Sequence, residues 1–369
     1  MNLKYLTAGE SHGPCLTVIL EGIPAGLSLS AKDINKELKR RQQGYGRGGR
    51  MKIESDKVRI TAGLRHGKTL GSPLSLIIEN KDHKAWKKEM NPEAVAHFKS
   101  KKFVSRPRPG HADLTGGLKY NHKDLRNVLE RASARETAAR VAVGAVCRVL
   151  LQNFGITCSG YVTNIGGAFA REAGKLSGAM KANIDAARDN GDSLGGEVEI
   201  IFSHVPQGLG SYVHYDRKLD AKMAQTLLSI QAVKGVEFGL GFDAANLPGS
   251  VVHDAISYDK KKKSFSRQTN HAGGFEGGMT TGEEIIVRAV MKPISTLYKP
   301  LDSVDIKTKK AFKASVERSD TCAVEALAVI AENILCFDLA KALIEKCGGD
   351  SVEEMQRNYK GYLKQLKAY

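Results

Sequence analysis

The residues best suited to acid–base chemistry are two histidines in segments that contain glycine and proline. His12 lies in the segment GESHG, directly before an apolar stretch, and His111 lies in the segment RPRPGHAD. Turn-forming residues and hydrogen-bonding partners flank both, and a rigid loop of this kind commonly presents an imidazole for proton transfer. Both histidines are therefore candidate acid–base residues, and the alternative from the residues alone is a solvent-exposed surface histidine.

Four arginines, Arg40, Arg41, Arg47 and Arg50, fall within eleven positions. Glycines interspersed among the last two let the backbone approach a ligand closely. The planar guanidinium group suits phosphate and carboxylate alike. The pattern indicates an anion-binding segment or, as the alternative, a solvated basic loop.

A capping box, Ser133 followed three residues later by Glu136, predicts the start of a helix that continues to about Gly155. Arg131 and Arg135 flank this start. Because the free amides and the dipole of a helix N-terminus favour an anion, the segment is a second candidate for anion binding. Ordinary capping with solvated arginines is the alternative.

Three later segments have residues that suit a phosphorylated, planar ligand. They are GGFEGG at residues 273–278, KPIST at 292–296 and RSD at 318–320. Lysine, serine and threonine in one loop can hold a phosphate, and a glycine-rich strand can lie flat against a ring. Each segment alone is a weak indication.

Hydrophobic periodicity predicts the elements that must position these residues. Strands are predicted at residues 17–21, 58–62, 74–79, 197–202 and 284–291, and helices at 31–42, from the capping box to about 155, at 221–230, 323–346 and 351–366. Strands and helices do not alternate strictly. The sequence therefore favours an α+β layered core, in a single domain over residues 1–369, rather than a doubly wound parallel sheet.

Composition narrows the class of protein. Hydrophobic residues make up 41% of the 369 residues, enough for a sizeable core, and the net charge of +16 favours an anionic partner. A basic nucleic-acid-binding protein is the rival interpretation, supported by RGGR at 47–50, but that tract is not repeated and aromatic residues reach only 6%. The sequence shows no signal-peptide pattern, no run of about 18 apolar residues and no zinc-like cysteine spacing, which predicts a cytoplasmic protein without a metal site.

Two glycine patterns resemble nucleotide-binding motifs but lack the flanking elements or the full spacing of those motifs. Gly44, Gly46 and Gly49 have the spacing of a dinucleotide fingerprint, but they follow a charged helix rather than a buried strand. The segment GLRHGKT is one residue shorter than a phosphate loop. Neither pattern supports a dinucleotide-binding dehydrogenase or a nucleotide hydrolase.

Taken together, these segments resemble the chorismate synthase family along nearly the whole chain. The resemblance covers residues 9–13, 40–54, 67–73, 108–116, 130–142, 192–197, 211–221, 232–242, 273–278, 292–296 and 317–323. It implies a β-α-β sandwich fold and a cytoplasmic homotetramer that binds neither nucleic acid nor membrane. It also implies an anti-1,4-elimination of phosphate from 5-enolpyruvylshikimate 3-phosphate, giving chorismate with the help of reduced FMN.

The resemblance assigns roles to individual residues. His12 matches the histidine that protonates the departing phosphate, and His111 the one that protonates or stabilises the reduced flavin. Asp320 matches a carboxylate that helps the flavin shed the abstracted proton, and Ser11 and Ser133 match assisting hydroxyls. The substrate's anionic groups would be bound by five arginines: Arg41, Arg47, Arg50, Arg108 and Arg135.

The positions that match flavin-binding residues of the family are Arg131, Ala132, Ser133, Gln231, Ala232, Gly277, Lys292, Pro293, Ile294, Ser295, Thr296 and Arg318. Gln231 departs from the family, which often has proline or asparagine there, so a backbone or a side-chain contact is open at that position. Arg41 and Arg47 also match positions assigned to NADPH, although the substrate role is favoured for both. The sequence shows no obvious insertion of the kind linked to self-reduction of the flavin, which favours an external flavin reductase.

Overall fold

Two antiparallel sheets enclose a layer of helices in the computed structural model, which describes residues 2–48, 55–261 and 263–369. The strands are β1 (Lys4–Ala8), β2 (Cys15–Glu21), β3 (Val58–Ala62), β4 (Leu64–Arg65), β5 (Lys68–Thr69), β6 (Leu74–Glu79), β7 (Thr157–Ile165), β8 (Ala168–Phe169), β9 (Gly196–Ser203), β10 (Val233–Phe238), β11 (Ile256–Asp259), β12 (Ser264–Arg267), β13 (Phe275–Glu276), β14 (Met279–Thr280), β15 (Ile285–Met291), β16 (Asp302–Val304) and β17 (Ala311–Lys313).

The α-helices are α1 (Ala31–Gln42), α2 (Asp113–Tyr120), α3 (Arg126–Ala132), α4 (Thr137–Gln152), α5 (Gly178–Asp189), α6 (Leu219–Leu228), α7 (Gly249–Val252), α8 (Val324–Cys347) and α9 (Val352–Ala368). Short 3-10 turns lie at Lys81–Ala85, Ala134–Glu136, Tyr215–Arg217 and Gly241–Asn246.

The first sheet has the strand order β1-β2-β6-β3, with antiparallel neighbours throughout. Buried and more exposed residues alternate along its central strands, and Leu16, Val18 and Leu20 of β2 turn inward. This period of two is what a sheet with one buried face requires. The second sheet has the order β10-β15-β9-β7-β8 and shows the same alternation on β9, where Val198, Ile200 and Phe202 turn inward.

The helical layer fills the space between the sheets. Helix α4 packs against α1 and α8 and contacts β2 of the first sheet, while α8 packs against β7 and β9 of the second. Helix α8 has no polar face and most of its residues are buried, as expected for a helix in the middle of a layered core. Residues from both sheets and from these helices form one cluster of buried hydrophobic side chains.

The predicted α+β fold, a sandwich of sheet, helices and sheet, is confirmed. Each predicted strand and helix lies on an observed element, with ends that differ by a few residues. The pattern did not identify β1, β7, β10 or the helices α2, α3 and α5. Among the described helices, none is both long enough and apolar enough to cross a membrane.

The predicted capping box is only partly present. Ser133 Oγ accepts a hydrogen bond from Arg135 N at 3.3 Å, but it caps the 3-10 turn Ala134–Glu136, and α4 begins only after that turn. The Glu136 carboxylate accepts a hydrogen bond from Thr7 Oγ1 at 3.0 Å instead of returning to the cap. A contact with β1 therefore replaces the local bond that the sequence pattern predicted.

Candidate active site

A cavity of about 390 Å³ opens where the loops after α1, β15 and α6 meet the beginnings of α4 and α8. Loops before α2 and α8 complete its walls. Among the described residues, six cationic side chains line it: Arg41, Arg47, Arg108, Arg135, Lys292 and Arg318. Residues far apart in sequence are thus brought to one wall whose charge suits an anion.

Arg41 and Arg135 share one buried carboxylate. Asp56 Oδ2 accepts from Arg41 Nη1 at 3.3 Å, and Asp56 Oδ1 accepts from Arg135 Nη1 at 2.6 Å. Arg41 also donates to Thr137 Oγ1 at 3.0 Å and to the carbonyl oxygen of Ala134 at 3.1 Å. Burial lowers the pKa of Arg41 to about 10; the charge of Asp56 raises this pKa and the charge of Arg135 lowers it further. Arg41 therefore stays positively charged at neutral pH.

His111 and Arg108 share a second buried carboxylate, that of Asp113. The carboxylate accepts from Arg108 Nε at 2.8 Å and from Arg108 Nη2 at 3.1 Å, and it lies 2.6 Å from His111 Nδ1. Burial alone would raise the pKa of Asp113, but the hydrogen bonds from His111 and Arg108 hold it well below its usual range. Since an ionised carboxylate only accepts, Nδ1 of His111 carries the hydrogen, and Nε2 is left to exchange a proton with a ligand.

Asp320 lies on the cavity wall and fixes the loop that follows α1. Its Oδ1 accepts from the backbone N of Gly48 at 2.6 Å, and its Oδ2 lies 3.2 Å from Arg47 Nε. A side chain at Gly48 would have its Cβ 2.6 Å from the carbonyl oxygen of Ser319, so the close approach of the two loops requires glycine. The acidic side chain therefore holds a cation and a backbone amide at one point of the wall.

The segment after β15 contributes another part of the cavity lining. Lys292 Nζ donates to the carbonyl oxygen of Gly110, and Thr296 Oγ1 accepts from Arg108 Nη1 at 2.7 Å. The carbonyl oxygen of Ile294 accepts from Ser193 Oγ at 2.6 Å. The first two bonds tie the segment to the loop that carries His111, and the third ties it to the loop before β9. Lysine, serine and threonine of the segment line the cavity together.

An apolar part of the lining comes from the first two turns of α8, with Ala326, Leu327 and Ile330, and from Met291 at the end of β15. Gln231 stands among these side chains, and its buried Oε1 has no hydrogen-bond partner within the described part of the chain. An unpaired buried acceptor costs free energy unless a ligand or water satisfies it. The cavity thus combines a charged wall, an apolar wall and an acceptor that lacks a donor.

His12 lies behind the wall instead of lining the cavity. Its Nδ1 is 2.8 Å from Glu130 Oε1, its ring stacks on Trp86 at a centroid distance of 3.9 Å, and its Nε2 lies 3.9 Å from Asp82 Oδ2. The same Asp82 oxygen accepts from Arg318 Nη2 at 2.8 Å. His12 is therefore linked to the cavity through Asp82 and the lining residue Arg318.

The structure brings together most of the residues that the sequence singled out. Those that line the cavity are Arg41, Arg47, Arg108, His111, Ala132, Ser133, Arg135, Gln231, Ala232, Lys292, Ile294, Ser295, Thr296, Arg318 and Asp320. Ser11 is buried beside His12, and its backbone N donates to the carbonyl oxygen of Glu130 at 2.9 Å. Arg50 lies outside the described residues.

Three other predicted positions lie away from the cavity lining of the described chain. The Arg131 guanidinium donates to the carbonyl oxygens of Gly9 at 3.0 Å and Thr7 at 2.9 Å. Gly277 lies in the turn between β13 and β14, and Pro293 is flanked by lining residues without lining the cavity itself.

Four carboxylates that support the site were not predicted from the sequence: Asp56, Asp82, Asp113 and Glu130. The only available signal was local, since Asp113 stands two residues after His111 in the segment RPRPGHAD. The other three contact partners that are distant in sequence, such as Asp56 with Arg135 and Glu130 with His12. Contacts between residues so far apart leave no local pattern in the sequence.

Comparison with known proteins identifies the family. A family model described as chorismate synthase matches residues 3–344. The chorismate synthase of Geobacter sulfurreducens is 55% identical, with 100% of both chains covered, and that of Geobacillus kaustophilus is 56% identical over 96% of this chain and 97% of its own. A crystal structure of chorismate synthase superposes with a TM-score of 0.79 at 41% identity, covering 100% of this chain and 99% of the other. The chain belongs to the chorismate synthase family.

Proposed function

We propose that this chain catalyses the anti-1,4-elimination of phosphate from 5-enolpyruvylshikimate 3-phosphate to give chorismate, as a carbon–oxygen lyase that requires reduced FMN. Membership of the family supports the activity. The observation that carries the proposal is the cavity in which six cationic side chains face an apolar wall. A substrate with one phosphate and two carboxylates needs the cationic side chains, and a stacked ring system needs the apolar surface.

The residues present fit a flavin. The apolar side chains of Ala326, Leu327 and Ile330 offer a surface for a ring system, and the unpaired Oε1 of Gln231 matches an imide N–H donor such as the isoalloxazine ring carries. Lys292, Thr296 and Arg318, which all line the cavity, would hold the flavin phosphate. When bound, reduced flavin lends electron density to the reacting substrate, which is the difficult part of the reaction.

The chain itself contributes position and proton transfer. Arg41, Arg108 and Arg135, each held by a buried carboxylate, would bind the phosphate and carboxylates of the substrate in a fixed orientation. His111 would donate or accept a proton at Nε2, because Asp113 fixes the hydrogen on Nδ1. Asp320, on the same wall, would accept a proton at its carboxylate.

His12 would serve the departing phosphate from behind the wall. Because Asp82 and Arg318 connect it to the cavity, a proton from His12 reaches the phosphate only after this pair shifts. Ser133 lines the cavity and would assist with its hydroxyl, while Ser11 would act with His12.

We further propose that the protein is a cytoplasmic homotetramer and that each chain is a single domain. The exposed Tyr212, Val213 and Tyr215 support a subunit contact, and Tyr212 lies beside the turn that holds Gly277. Such a contact would place Gly277 beside a neighbouring subunit. For the reductant, we propose a separate flavin reductase fed by NADPH, because the sequence has no obvious insertion of the kind linked to self-reduction of the flavin.

The test is an anaerobic turnover assay with dithionite-reduced FMN and 5-enolpyruvylshikimate 3-phosphate. We expect equal amounts of phosphate and chorismate. His111→Ala should lower turnover by about 10²-fold, as for a lost general acid or base, whereas His253→Ala, a matched change at an exposed histidine away from the cavity lining, should leave it unchanged. A wild-type chain that leaves the substrate intact under these conditions would end the proposal.

The rival function, nucleic-acid binding, has a specific test. A protein that uses its positive charge on RNA should bind single-stranded RNA at low salt and lose it steeply as salt rises. We expect little such binding at physiological salt, because six of the cations line a cavity of small-ligand size.

A further inference from the structure

Asp56 lies beneath the cavity wall and does not line the cavity. Its side chain is 0% exposed, and both carboxylate oxygens accept from arginines that do line it, Arg41 at 3.3 Å and Arg135 at 2.6 Å. The backbone N of Asp56 donates to Gln42 Oε1 at 3.0 Å, which anchors the residue to the last turn of α1. A single carboxylate thus contacts two cations without contacting the ligand space.

The two arginines belong to different elements. Arg41 lies in the last turn of α1, and Arg135 lies in the 3-10 turn before α4, where it also donates from Nε to Asn80 Oδ1 at 2.9 Å. Both guanidinium groups are buried, so their mutual repulsion is weakly screened. Without a negative charge between them, the two groups would separate or turn towards other acceptors.

We propose that Asp56 is a positioning residue that holds Arg41 and Arg135 in the orientation in which they bind a phosphate or carboxylate group of the substrate. The inference rests on the proposed function for the identity of the substrate. The arrangement resembles the way a second residue orients a metal ligand: the contact with the protein fixes the side chain before the ligand arrives.

Charge and position make opposite predictions for the removal of this carboxylate. If only net charge mattered, Asp56→Asn would make the wall more positive and would tighten the binding of an anion. If the carboxylate positions the two guanidinium groups, the same change loosens them and weakens binding. The loss of one charge-assisted hydrogen bond to the anion corresponds to roughly 10- to 100-fold in affinity.

The experiment measures the affinity of the full-length apo chain for inorganic phosphate by isothermal titration calorimetry, at a temperature where thermal melts show each variant to be folded. We expect Asp56→Asn to weaken phosphate binding by about 10- to 100-fold. With reduced FMN and substrate, KM should rise more than kcat falls. Asp302→Asn removes the same charge at a side chain that is 91% exposed and should leave both readings unchanged.

A second variant covers the case in which Asp56→Asn does not fold. Gln42→Ala keeps the carboxylate and its charge but removes the acceptor of the Asp56 backbone N, so phosphate binding should weaken in the same direction by a few-fold. Unchanged or tighter phosphate binding in the folded variants would overturn the proposal, as would a wild-type chain that binds no phosphate. A chain that yields no chorismate while Asp56→Asn still weakens phosphate binding would refute the proposed function alone.

Discussion

The closest approach of the two central helices gives a sharp prediction for stability. Gly144 lies in the middle of α4, opposite Asn333 of α8, and both residues are within the helical layer. A Cβ at position 144 would lie 2.8 Å from the Cβ of Asn333 and closer still to the Asn333 carbonyl oxygen and carbon. The nearest atoms belong to the backbone, so no rotation of a side chain can relieve the contact.

The size of the effect follows from this geometry. Carbon atoms in favourable contact are about 3.5–4.0 Å apart, so Gly144→Ala requires the helices to separate by roughly 1 Å or more. Overpacking of a core typically costs about 1–3 kcal/mol, and a rigid backbone contact belongs at the upper end. Alanine regains up to about 1 kcal/mol of helix propensity. We expect a net loss of about 2 kcal/mol in the free energy of unfolding.

Urea unfolding followed by circular dichroism measures this loss. Gly361→Ala in α9 is the matched control, because nothing lies within 4 Å of the added Cβ there, and we expect a gain of up to about 1 kcal/mol. Separation of the helices should also weaken ligand binding, since Ala326, Leu327 and Ile330 of α8 line the cavity. If Gly144→Ala is as stable as the wild type, the helices are not held at the distance described.

Three further predictions concern buried carboxylates. Burial raises the pKa of Asp338 to about 7 from its ordinary 3.8, so the folded chain keeps a proton that the unfolded chain releases, and wild-type stability falls as pH rises from about 4 to 7. Asp338→Asn should therefore be more stable than the wild type by about 1–4 kcal/mol at pH 8, with the gap closing towards pH 4 in thermal melts; equal melting at both pH values would contradict this. Glu332→Gln should cost about 1.5–3 kcal/mol in urea unfolding, because Arg40 and Arg148 both lose a hydrogen bond to this buried carboxylate, and a loss below 1 kcal/mol would exclude that account. Asp113→Asn should be less stable than the wild type at neutral pH, because Arg108 loses its carboxylate partner. The pKa of Asp113 is depressed in the folded chain, so the wild type loses this stabilisation below about pH 4 and the difference in stability between the two proteins should narrow there. A difference in stability that does not depend on pH would show that charge is not the cause.

The central elements of the fold could be predicted because their signals are local. Alternation of apolar residues marks β2, β6, β9 and β15, and a long apolar run marks α8. Helix α2 could not be predicted, because Gly116 and Gly117 lower its intrinsic helix propensity. In the structure they are required by packing, since a Cβ at Gly116 would lie 2.5 Å from Val128 of α3. Tertiary contact overrides propensity there.

The residues of the candidate site also fall into two groups, those with a local signal in the sequence and those placed only by tertiary contacts. His111, Arg108 and Lys292 stand in segments whose turn-forming and polar residues are visible in the sequence, and the family resemblance joins them. The placement of His12 could not be predicted, because the stacking on Trp86 and the contact with Glu130 exist only in three dimensions. An aspartate such as Asp56 is even less visible, since nothing in its neighbours distinguishes it from a solvated acidic residue.

The carboxylates beneath the wall have a physical reason to be there. Each guanidinium group of the described cavity lining contacts a carboxylate on one side: Arg41 and Arg135 contact Asp56, Arg47 contacts Asp320, Arg108 contacts Asp113, and Arg318 contacts Asp82. A wall of unpartnered cations would repel itself and would bind a released phosphate too tightly for the next turnover. An arginine paired with a carboxylate has a lower net charge as a pair, but its guanidinium group is held in a fixed orientation. Such groups select an anion by its geometry as well as by its charge. The proposed reaction needs this property, because the same cavity must bind a phosphate ester and then release phosphate.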